Sequence, residues 1–174
     1  WKWDGIRAQL IRRMGRTILW SRGEELIDDA FPEFRQLGYM LPHGTVIDGE
    51  ILAWDDTATP PRPLPFGDLQ TRINRKQREL MLFSIVPVVF QAYDLLEFEG
   101  RDIRERPLEA RRGLLEQILA PLVPHAPVRL SPILPDATWD ELAKVRDQAR
   151  AREVEGIMLK RKTAPYRVGR VRGD

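Results

Sequence analysis

Apolar and polar residues alternate along several short segments of the chain, and a period of two residues is typical of β-strands with one buried face. We predict strands over residues 5–13, 17–21, 44–54, 86–95, 128–130 and 155–162. The first two flank a turn at 14–16, so together they predict a β-hairpin. In the last segment the run Ile157, Met158 and Leu159 is expected to form the strand interior.

A period of about 3.6 residues predicts helices in the remaining segments. These cover residues 31–37, 67–72, 76–82, 108–119 and 139–152. In the helix over 108–119 the apolar residues Leu108, Leu114, Leu115 and Ile118 are expected to face the core. The proline-rich segment 55–65 is long for a loop and is expected to lie over a binding face. Hairpins are more evident than β-α-β units, which favours an α+β fold with antiparallel sheets and flanking helices.

Composition places the chain among ordinary globular proteins. Its 174 residues suit one domain with a full core, and 43% of them are hydrophobic and 31% charged. Apolar runs stay well short of the roughly 18 residues of a membrane helix. The sequence has no cysteine, which excludes disulfides and thiolate zinc sites and is compatible with a reducing cytoplasm. With two histidines, His43 and His125, a histidine-based metal site or catalytic triad is not expected.

Basic residues are concentrated in two blocks, although the net charge is only +2. Residues 160–172 hold six cations and no acid, and residues 71–78 hold four cations. Such blocks suit contacts with phosphate groups, whereas a single block can also be a solvated face. Two blocks in a chain with a candidate nucleophile favour a nucleic-acid partner.

The chain opens with Lys2-Trp3-Asp4-Gly5-Ile6-Arg7, which reads K-x-D-G-x-R. A lysine amine can attack phosphorus, an arginine can hold phosphate oxygens, and glycine lets the backbone approach a ligand closely. A free lysine amine has a pKa of about 10.4, so such a site has to favour the neutral form through nearby cations or desolvation. Taken alone, the pattern is weak and favours a charged strand end.

A second acidic motif, Asp48-Gly49-Glu50, interrupts the apolar strand over 44–54. A buried carboxylate without a partner is costly, so these acids need a partner or a ligand. One interpretation is a surface β-bulge at Gly49. The functional interpretation is that Glu50 faces a ligand.

The order of these motifs resembles a known family. The series is Lys2-x-Asp4-Gly5-x-Arg7, Ser21-Arg22-Gly23, Asp48-Gly49-Glu50, Ala92-Tyr93-Asp94-Leu95 and Glu155-Gly156-Ile157-Met158-Leu159-Lys160. It resembles the adenylation domain of ATP-dependent DNA ligases, a branch of the covalent nucleotidyltransferases that also include RNA ligases and mRNA capping enzymes. Each motif is weak, but five in the right order are strong, and residues 66–72 are similar to the bacterial branch. The resemblance implies two sheets that form a nucleotide cleft, in an ATP-grasp-like arrangement.

The resemblance also implies roles for the first motifs. Lys2 would attack the α-phosphate of ATP, expel pyrophosphate and carry AMP through a phosphoramide bond. Asp4 would orient Lys2 or help with its proton. Arg7 and Arg22 would contact phosphate and ribose, or DNA phosphates in later steps. Glu50 would hold the ribose or a metal ion.

The later motifs complete the expected site. Tyr93 would stack on adenine, Glu155 would bind Mg²⁺ directly or through water, and Lys160 would approach the α-phosphate. Arg170, in Tyr166-x-x-Gly169-Arg170, matches an arginine that follows this strand in the family. Each has a structural alternative: Tyr93 as a core aromatic, Glu155 as the partner of an arginine, Lys160 as a strand end and Arg170 as a solvated tail residue.

We therefore expect residues 1–174 to be an adenylation domain that is truncated at both ends. The final lysine motif of the family, the OB-fold domain and an N-terminal DNA-binding domain are expected elsewhere, so the segment alone should be impaired in self-adenylation. The parent protein is predicted to be a DNA ligase (ATP) that seals nicks in double-stranded DNA. We expect it to act as a monomer in the bacterial cytoplasm, associated with the nucleoid and without membrane contact.

Two other functions stay open at this point. A related RNA ligase or capping-type guanylyltransferase would differ in its nucleotide and its acceptor. A non-catalytic nucleic-acid-binding module would keep the cleft without the chemistry. The presence of Lys2, Asp4, Glu50 and Glu155 argues against the module, because a pure binder needs no nucleophile.

Overall fold

The computed structural model describes residues 1–73, 86–123, 126–135, 137–167 and 169. In the described residues the strands are β1 (Lys2–Trp3), β2 (Ile6–Arg13), β3 (Arg16–Ser21), β4 (Thr45–Asp55), β5 (Arg62–Pro63), β6 (Val88–Phe98), β7 (Arg101–Asp102), β8 (Val128–Leu130) and β9 (Val154–Gly156). The helices are α1 (Glu33–Met40), α2 (Phe66–Ile73), α3 (Leu108–Leu119) and α4 (Trp139–Asp147), with a 3-10 helix at Arg150–Arg152.

Most strands form one sheet of antiparallel neighbours in the order β3-β2-β4-β6-β7. Strand β5 pairs with β4 at one edge, and β8 pairs with β6 in the parallel direction. Strands β1 and β9 pair with each other in a separate two-stranded sheet. Mixed helices and largely antiparallel sheets confirm the predicted α+β class.

The core lies where α1, α2 and α3 cover one face of the main sheet. Strands β4 and β6 each have eleven residues and are buried over most of their length, as expected for central strands rich in Val, Ile and Leu. Phe34 of α1 packs edge-on against Phe90 of β6, with ring centroids 6.0 Å apart. A Cβ atom at Gly49 would overlap the Phe90 ring, so glycine lets β4 lie directly under that side chain.

The predicted bulge near Gly49 is present, and the strand that contains it is buried. Pairing between β4 and β6 shifts register between Asp48 and Gly49, because Asp48 faces Asp94 while Gly49 faces Ala92. Tyr93 is the extra residue on β6. The expected bulge is therefore present, but it is buried and its extra residue belongs to β6. The interpretation that Glu50 faces a ligand stays a prediction.

Several element boundaries differ from the prediction. The strand expected over 155–162 is wrong, because β9 ends at Gly156, whose φ of +151° suits glycine and turns the chain away. Beyond it, Met158 and Leu159 are about half exposed rather than interior. The helix expected over 139–152 ends at Asp147, and a left-handed residue, Glu153 at φ +52°, closes the 3-10 turn that follows.

Other differences are smaller. The segment 55–65 is not entirely loop, since it contains β5, and the strand expected over 86–95 runs instead from Val88 to Phe98. In α3, Leu115 is buried as expected, and Leu108, Leu114 and Ile118 are partly buried. The helix predicted over 76–82 lies outside the described residues. Among the described helices, none is long and apolar enough to cross a membrane.

Candidate active site

The two-stranded sheet brings the beginning of the chain to the motif near its end. In β1–β9 pairing Lys2 faces Gly156 and Trp3 faces Val154. The Lys2 ammonium Nζ forms an ion pair with Oε2 of Glu155, and both side chains remain nearly half exposed. The structure therefore places the candidate nucleophile in contact with the candidate metal ligand.

Trp3 holds β1 in place. Its ring packs against a small cluster formed by Leu52, Trp54 and Val89. Its indole Nε1 donates a hydrogen bond of 2.9 Å to Oγ of Ser131. The residue after Lys2 is thus anchored to the main sheet, so the backbone that carries the amine has a defined position.

Gly5 serves packing at the start of β2. A Cβ atom there would overlap the backbone oxygen of Ile51 and lie within 2.9 Å of Cγ of Glu50. The close approach that requires glycine in K-x-D-G is therefore to strand β4. This contact differs from the expected approach to a ligand.

A cavity of about 420 Å³ opens beside this strand crossing. Four of the predicted site residues line it: Arg7, Arg22, Glu50 and Glu155. The turn after β3 forms another wall through Ser21 and Gly23, and the Arg22 amide donates to the Arg7 carbonyl oxygen at 3.1 Å. Two guanidinium groups and three carboxylates, those of Glu25, Glu50 and Glu155, thus share one opening.

Arg7 is held by a network that includes a residue missing from the predicted set, Asp48. The guanidinium donates from Nε to Oδ1 of Asp48 at 3.2 Å and from Nη2 to Oδ2 at 2.6 Å. Tyr166 accepts a hydrogen bond from Arg7 Nη2 and donates one to Asp48 Oδ2, each at 2.9 Å. These bonds to a buried carboxylate raise the pKa of Arg7 above its usual value.

Glu50 lies next to Arg7 across the strand pair β2–β4. Partial burial raises the pKa of its carboxyl to about 7, and the nearby charges of Asp48 and Asp4 act in the same direction. Arg7 and Lys2 oppose this increase. A cation bound in the cavity would therefore stabilise the charged form of this carboxyl group and lower its pKa.

Tyr93 and Lys160 meet near Asp48. The Lys160 ammonium lies 5.0 Å from the centroid of the Tyr93 ring, within the range of a cation–π contact. Although Lys160 as a residue is exposed, burial of its ammonium lowers its pKa. The Tyr93 hydroxyl lies 3.4 Å from Asp48 Oδ1, and burial, followed by the Asp48 charge, raises its pKa.

The remaining predicted residues are placed as follows. Asp4 is exposed, and the ion pair that Lys2 makes among the described residues is with Glu155 rather than with Asp4. Arg170 lies outside the described residues. The site roles assigned to all these residues stay predictions.

The sequence analysis assigned no site role to Asp48, Tyr166 or Arg111. Arg111 of α3 is buried and binds Asp94 of β6 through two hydrogen bonds, of 2.8 and 3.0 Å. Both acids lie in apolar strands, which signals that each needs a cationic partner. Arg111 falls on the apolar stripe of its helix, three residues from Leu108 and four from Leu115. An arginine on the apolar face of a helix was therefore the sequence signal that Arg111 is buried and paired with an acid.

The described residues contain no group of three or more His, Cys, Asp or Glu side chains that could hold a metal ion. Glu50 and Glu155 nevertheless line one cavity. Mg²⁺ is usually bound by one or two carboxylates together with substrate phosphates and water. The pair of carboxylates therefore fits Mg²⁺ that arrives with a nucleotide.

Comparison with known proteins gives a consistent family. A family model described as "ATP dependent DNA ligase domain" matches residues 1–174. A "Probable DNA ligase" of Opitutus terrae is 34% identical over 97% of this chain and 19% of its own length. A "DNA ligase" of Haloferax volcanii is 34% identical over 97% of this chain and 28% of its own length. The chain spans between about a fifth and a third of the length of the curated relatives it matches.

Solved structures agree on the fold. A structure described as "mycobacterial DNA ligase D complexed with ATP and MES" has a TM-score of 0.69 at 26% identity, covering 95% of this chain and 48% of that one. The "Chlorella virus DNA ligase-adenylate" has a TM-score of 0.63 at 19% identity, covering 98% and 56%. The latter shows a shared fold, and the predicted nucleotidyltransferase fold of the DNA ligases is confirmed.

Proposed function

The chain belongs to the family of ATP-dependent DNA ligase domains, and we propose that its Lys2 becomes covalently linked to AMP. The observation that supports this most directly is the contact of Lys2 with Glu155 beside a cavity lined by Arg7, Arg22 and Glu50. A nucleophile, two phosphate-binding guanidinium groups and two carboxylates are what transfer of a nucleotide to an amine requires.

In the reaction, Nζ of Lys2 attacks the α-phosphorus of ATP and forms an N–P bond. The bond from the α-phosphorus to the oxygen that bridges it to the β-phosphate breaks, and pyrophosphate leaves with that electron pair. Attack needs the neutral amine, whereas the ion pair with Glu155 contains the ammonium. Nζ therefore loses a proton before attack, and Asp4, the neighbouring carboxylate in the motif, is the proposed acceptor.

The cationic side chains bind the charged part of the nucleotide. Arg7 and Arg22 contact phosphate and ribose, because a guanidinium offers a fork of donors to phosphate oxygens. Lys160 supplies a point charge near the α-phosphate. Arg170 is proposed as a further contact on the basis of the motif alone.

The base is proposed to stack on Tyr93, where a π face contributes about 1–3 kcal/mol. Lys160 now lies over that ring, at 5.0 Å from its centroid. Binding of adenine on the same face therefore moves the ammonium off the ring, which leaves it free to approach the α-phosphate. Glu50, at the wall of the same cavity, holds the ribose or a metal ion.

Mg²⁺ held by Glu155 and Glu50 would supply positive charge that offsets the charge on the leaving pyrophosphate. The residues of this chain would hold it with one or two carboxylate oxygens, and substrate phosphates would complete its ligands. Burial raises the pKa of Glu50, and a bound cation would offset the cost of its charge.

For the full-length protein we propose that lysyl-AMP is used to seal nicks in double-stranded DNA. Relatives that carry the name DNA ligase support this acceptor. The exposed arginines of the domain suit contacts with DNA phosphates in the later steps. We further propose that the full-length protein acts as a monomer at the bacterial nucleoid.

The test is mass spectrometry of the full-length protein after incubation with ATP and Mg²⁺. We expect one AMP on the peptide that contains Lys2, and this domain has five lysines among which to locate it. Lys2→Ala should abolish the adduct, whereas Lys144→Ala, an exposed lysine of α4, should retain it. An adduct that survives Lys2→Ala would reject the assignment. GTP in place of ATP separates a capping-type enzyme, and DNA binding without any adduct would indicate a non-catalytic module.

A further inference from the structure

We propose that Tyr166 is a positioning residue for nucleotide transfer, and that it acts by fixing the guanidinium of Arg7 against Asp48. The inference rests on the proposed function, in which Arg7 contacts a phosphate. It assigns a task to a side chain that lies 118 residues from Asp48 in the sequence.

The three side chains close a ring of hydrogen bonds. Arg7 Nη2 donates to Asp48 Oδ2 at 2.6 Å and to the Tyr166 hydroxyl at 2.9 Å. The same hydroxyl donates to Asp48 Oδ2 at 2.9 Å. One hydroxyl group therefore satisfies both members of the ion pair, as acceptor for the cation and as donor to the anion.

The backbone around Tyr166 is itself anchored, so its hydroxyl has a defined position. The Tyr166 amide donates to the Arg104 carbonyl oxygen at 2.7 Å. At the N-terminus of α3, the Leu108 amide donates to the Ala164 carbonyl oxygen at 3.0 Å. The next amide of the helix, that of Glu109, donates to the Lys162 carbonyl oxygen. These contacts do not depend on the hydroxyl, so its loss should leave the segment in place.

The arrangement decides which donors of Arg7 remain for a ligand. Nε and Nη2 face Asp48 and Tyr166, and Nη1 has no hydrogen-bond partner among the residues that the structure describes. Arg7 also lines the cavity with Glu50. Because Nε and Nη2 are already held, the guanidinium presents Nη1 to a ligand in a fixed orientation. Binding of the nucleotide therefore does not cost the conformational entropy of ordering this side chain.

The protonation states agree with this geometry. Burial and the adjacent Asp48 charge raise the pKa of Tyr166 to about 12, so the hydroxyl keeps the proton that it donates. Asp48 is buried and stays paired with Arg7, whose pKa is raised by that contact. The ring of hydrogen bonds is thus complete at neutral pH.

The experiment compares Tyr166→Phe with the wild type in the full-length protein, using ATP labelled at the α-phosphate. The measured quantities are the rate constant of lysyl-AMP formation at saturating ATP and the ATP concentration that gives half of it. We expect the rate constant to fall about tenfold, since the two hydrogen bonds of the hydroxyl, from Arg7 and to Asp48, are lost. Tyr39→Phe, an exposed tyrosine of α1, is the matched control and should leave both quantities unchanged.

A double variant shows whether Tyr166 acts through Arg7. In the Arg7→Lys background, which lacks the fork, Tyr166→Phe should change the rate constant less than about twofold. An equal tenfold loss in both backgrounds, or a Tyr166→Phe protein as fast as the wild type, would overturn the inference. Thermal unfolding of all variants checks that the fold is kept.

A measurement without activity separates this inference from the proposed function. In NMR spectra of the nucleotide-free protein, the Arg7 Nε–H signal should exchange with solvent faster in Tyr166→Phe than in the wild type. Unchanged exchange would contradict the inference even if lysyl-AMP forms. A wild-type protein that forms no lysyl-AMP would instead reject the proposed function, whatever the exchange rates.

Discussion

Arg111 and Asp94 form an ion pair in the interior of the domain, in which each side chain is only 2% exposed. The pair joins α3 to β6 and places the guanidinium against the sheet. Arg111 Nη1 also donates to three backbone carbonyl oxygens, one of them that of Ala164. The buried pair therefore ties the segment that leads to Tyr166 to the sheet that carries Asp48.

Removing one partner of this pair should destabilise the domain strongly. Asp94→Asn leaves the Arg111 charge buried without its counter-ion, which costs about 3–5 kcal/mol. Urea denaturation measures the free energy of unfolding. The control is Asp102→Asn, since Asp102 pairs with Arg104 at the surface with both side chains about half exposed. That change should cost less than about 1 kcal/mol, and equal losses in the two variants would refute the expectation.

Glu50 should make stability decrease as pH rises. Its folded pKa of about 7 lies above its usual value of 4.5, so the folded state holds the proton more tightly than the unfolded state. The contribution of Glu50 to stability is therefore fully present below about pH 4.5 and is lost between there and about pH 7, by up to about 3 kcal/mol. Glu50→Gln should remove this slope and be the more stable protein at pH 8.

The measurement is chemical denaturation of nucleotide-free protein across that pH range with a chelator present. Glu116→Gln serves as the control, because Glu116 is an exposed carboxylate of α3 outside the cavity. If wild type and Glu50→Gln show parallel pH profiles, the perturbed carboxyl is not Glu50.

Trp3 should support the reaction through its anchor on Ser131. Trp3→Phe keeps an aromatic ring on the Leu52 cluster but loses the 2.9 Å hydrogen bond to Ser131. We expect a loss of about 1 kcal/mol in stability and a slower rate of lysyl-AMP formation. Ser131→Ala should have the same effect. The double variant should be no worse than either single one, and additive losses would show that the two act separately.

Gly5 should tolerate no side chain. Gly5→Ala places a methyl group on the backbone oxygen of Ile51, which cannot rotate away, so a loss of about 1–3 kcal/mol or more is expected. Gly67→Ala is the matched change, since a Cβ at that helix position meets no atom within 4 Å. That variant should be neutral or stabilised by up to about 1 kcal/mol. Comparison of the two melting temperatures checks the contrast.

Local pattern was sufficient for much of the fold. The hairpin of β2 and β3, the long strand β4 and the helix α3 follow from periods of two and about 3.6 residues, because side-chain direction repeats with backbone geometry. The pattern failed after Gly156. The apolar run continues there, but β9, the strand before it, pairs with β1, which has two residues. Apolar residues predict a strand only where a neighbouring strand exists to pair with.

The sequence by itself determined the order of the motifs, the family and the residues that can do chemistry. The tertiary structure decided which of them meet: Lys2 with Glu155, Tyr93 with Lys160, and Arg7 with Asp48 and Tyr166. The physical reason is that a buried charge requires a partner, but its identity depends on which distant strand or loop the topology brings within hydrogen-bond distance.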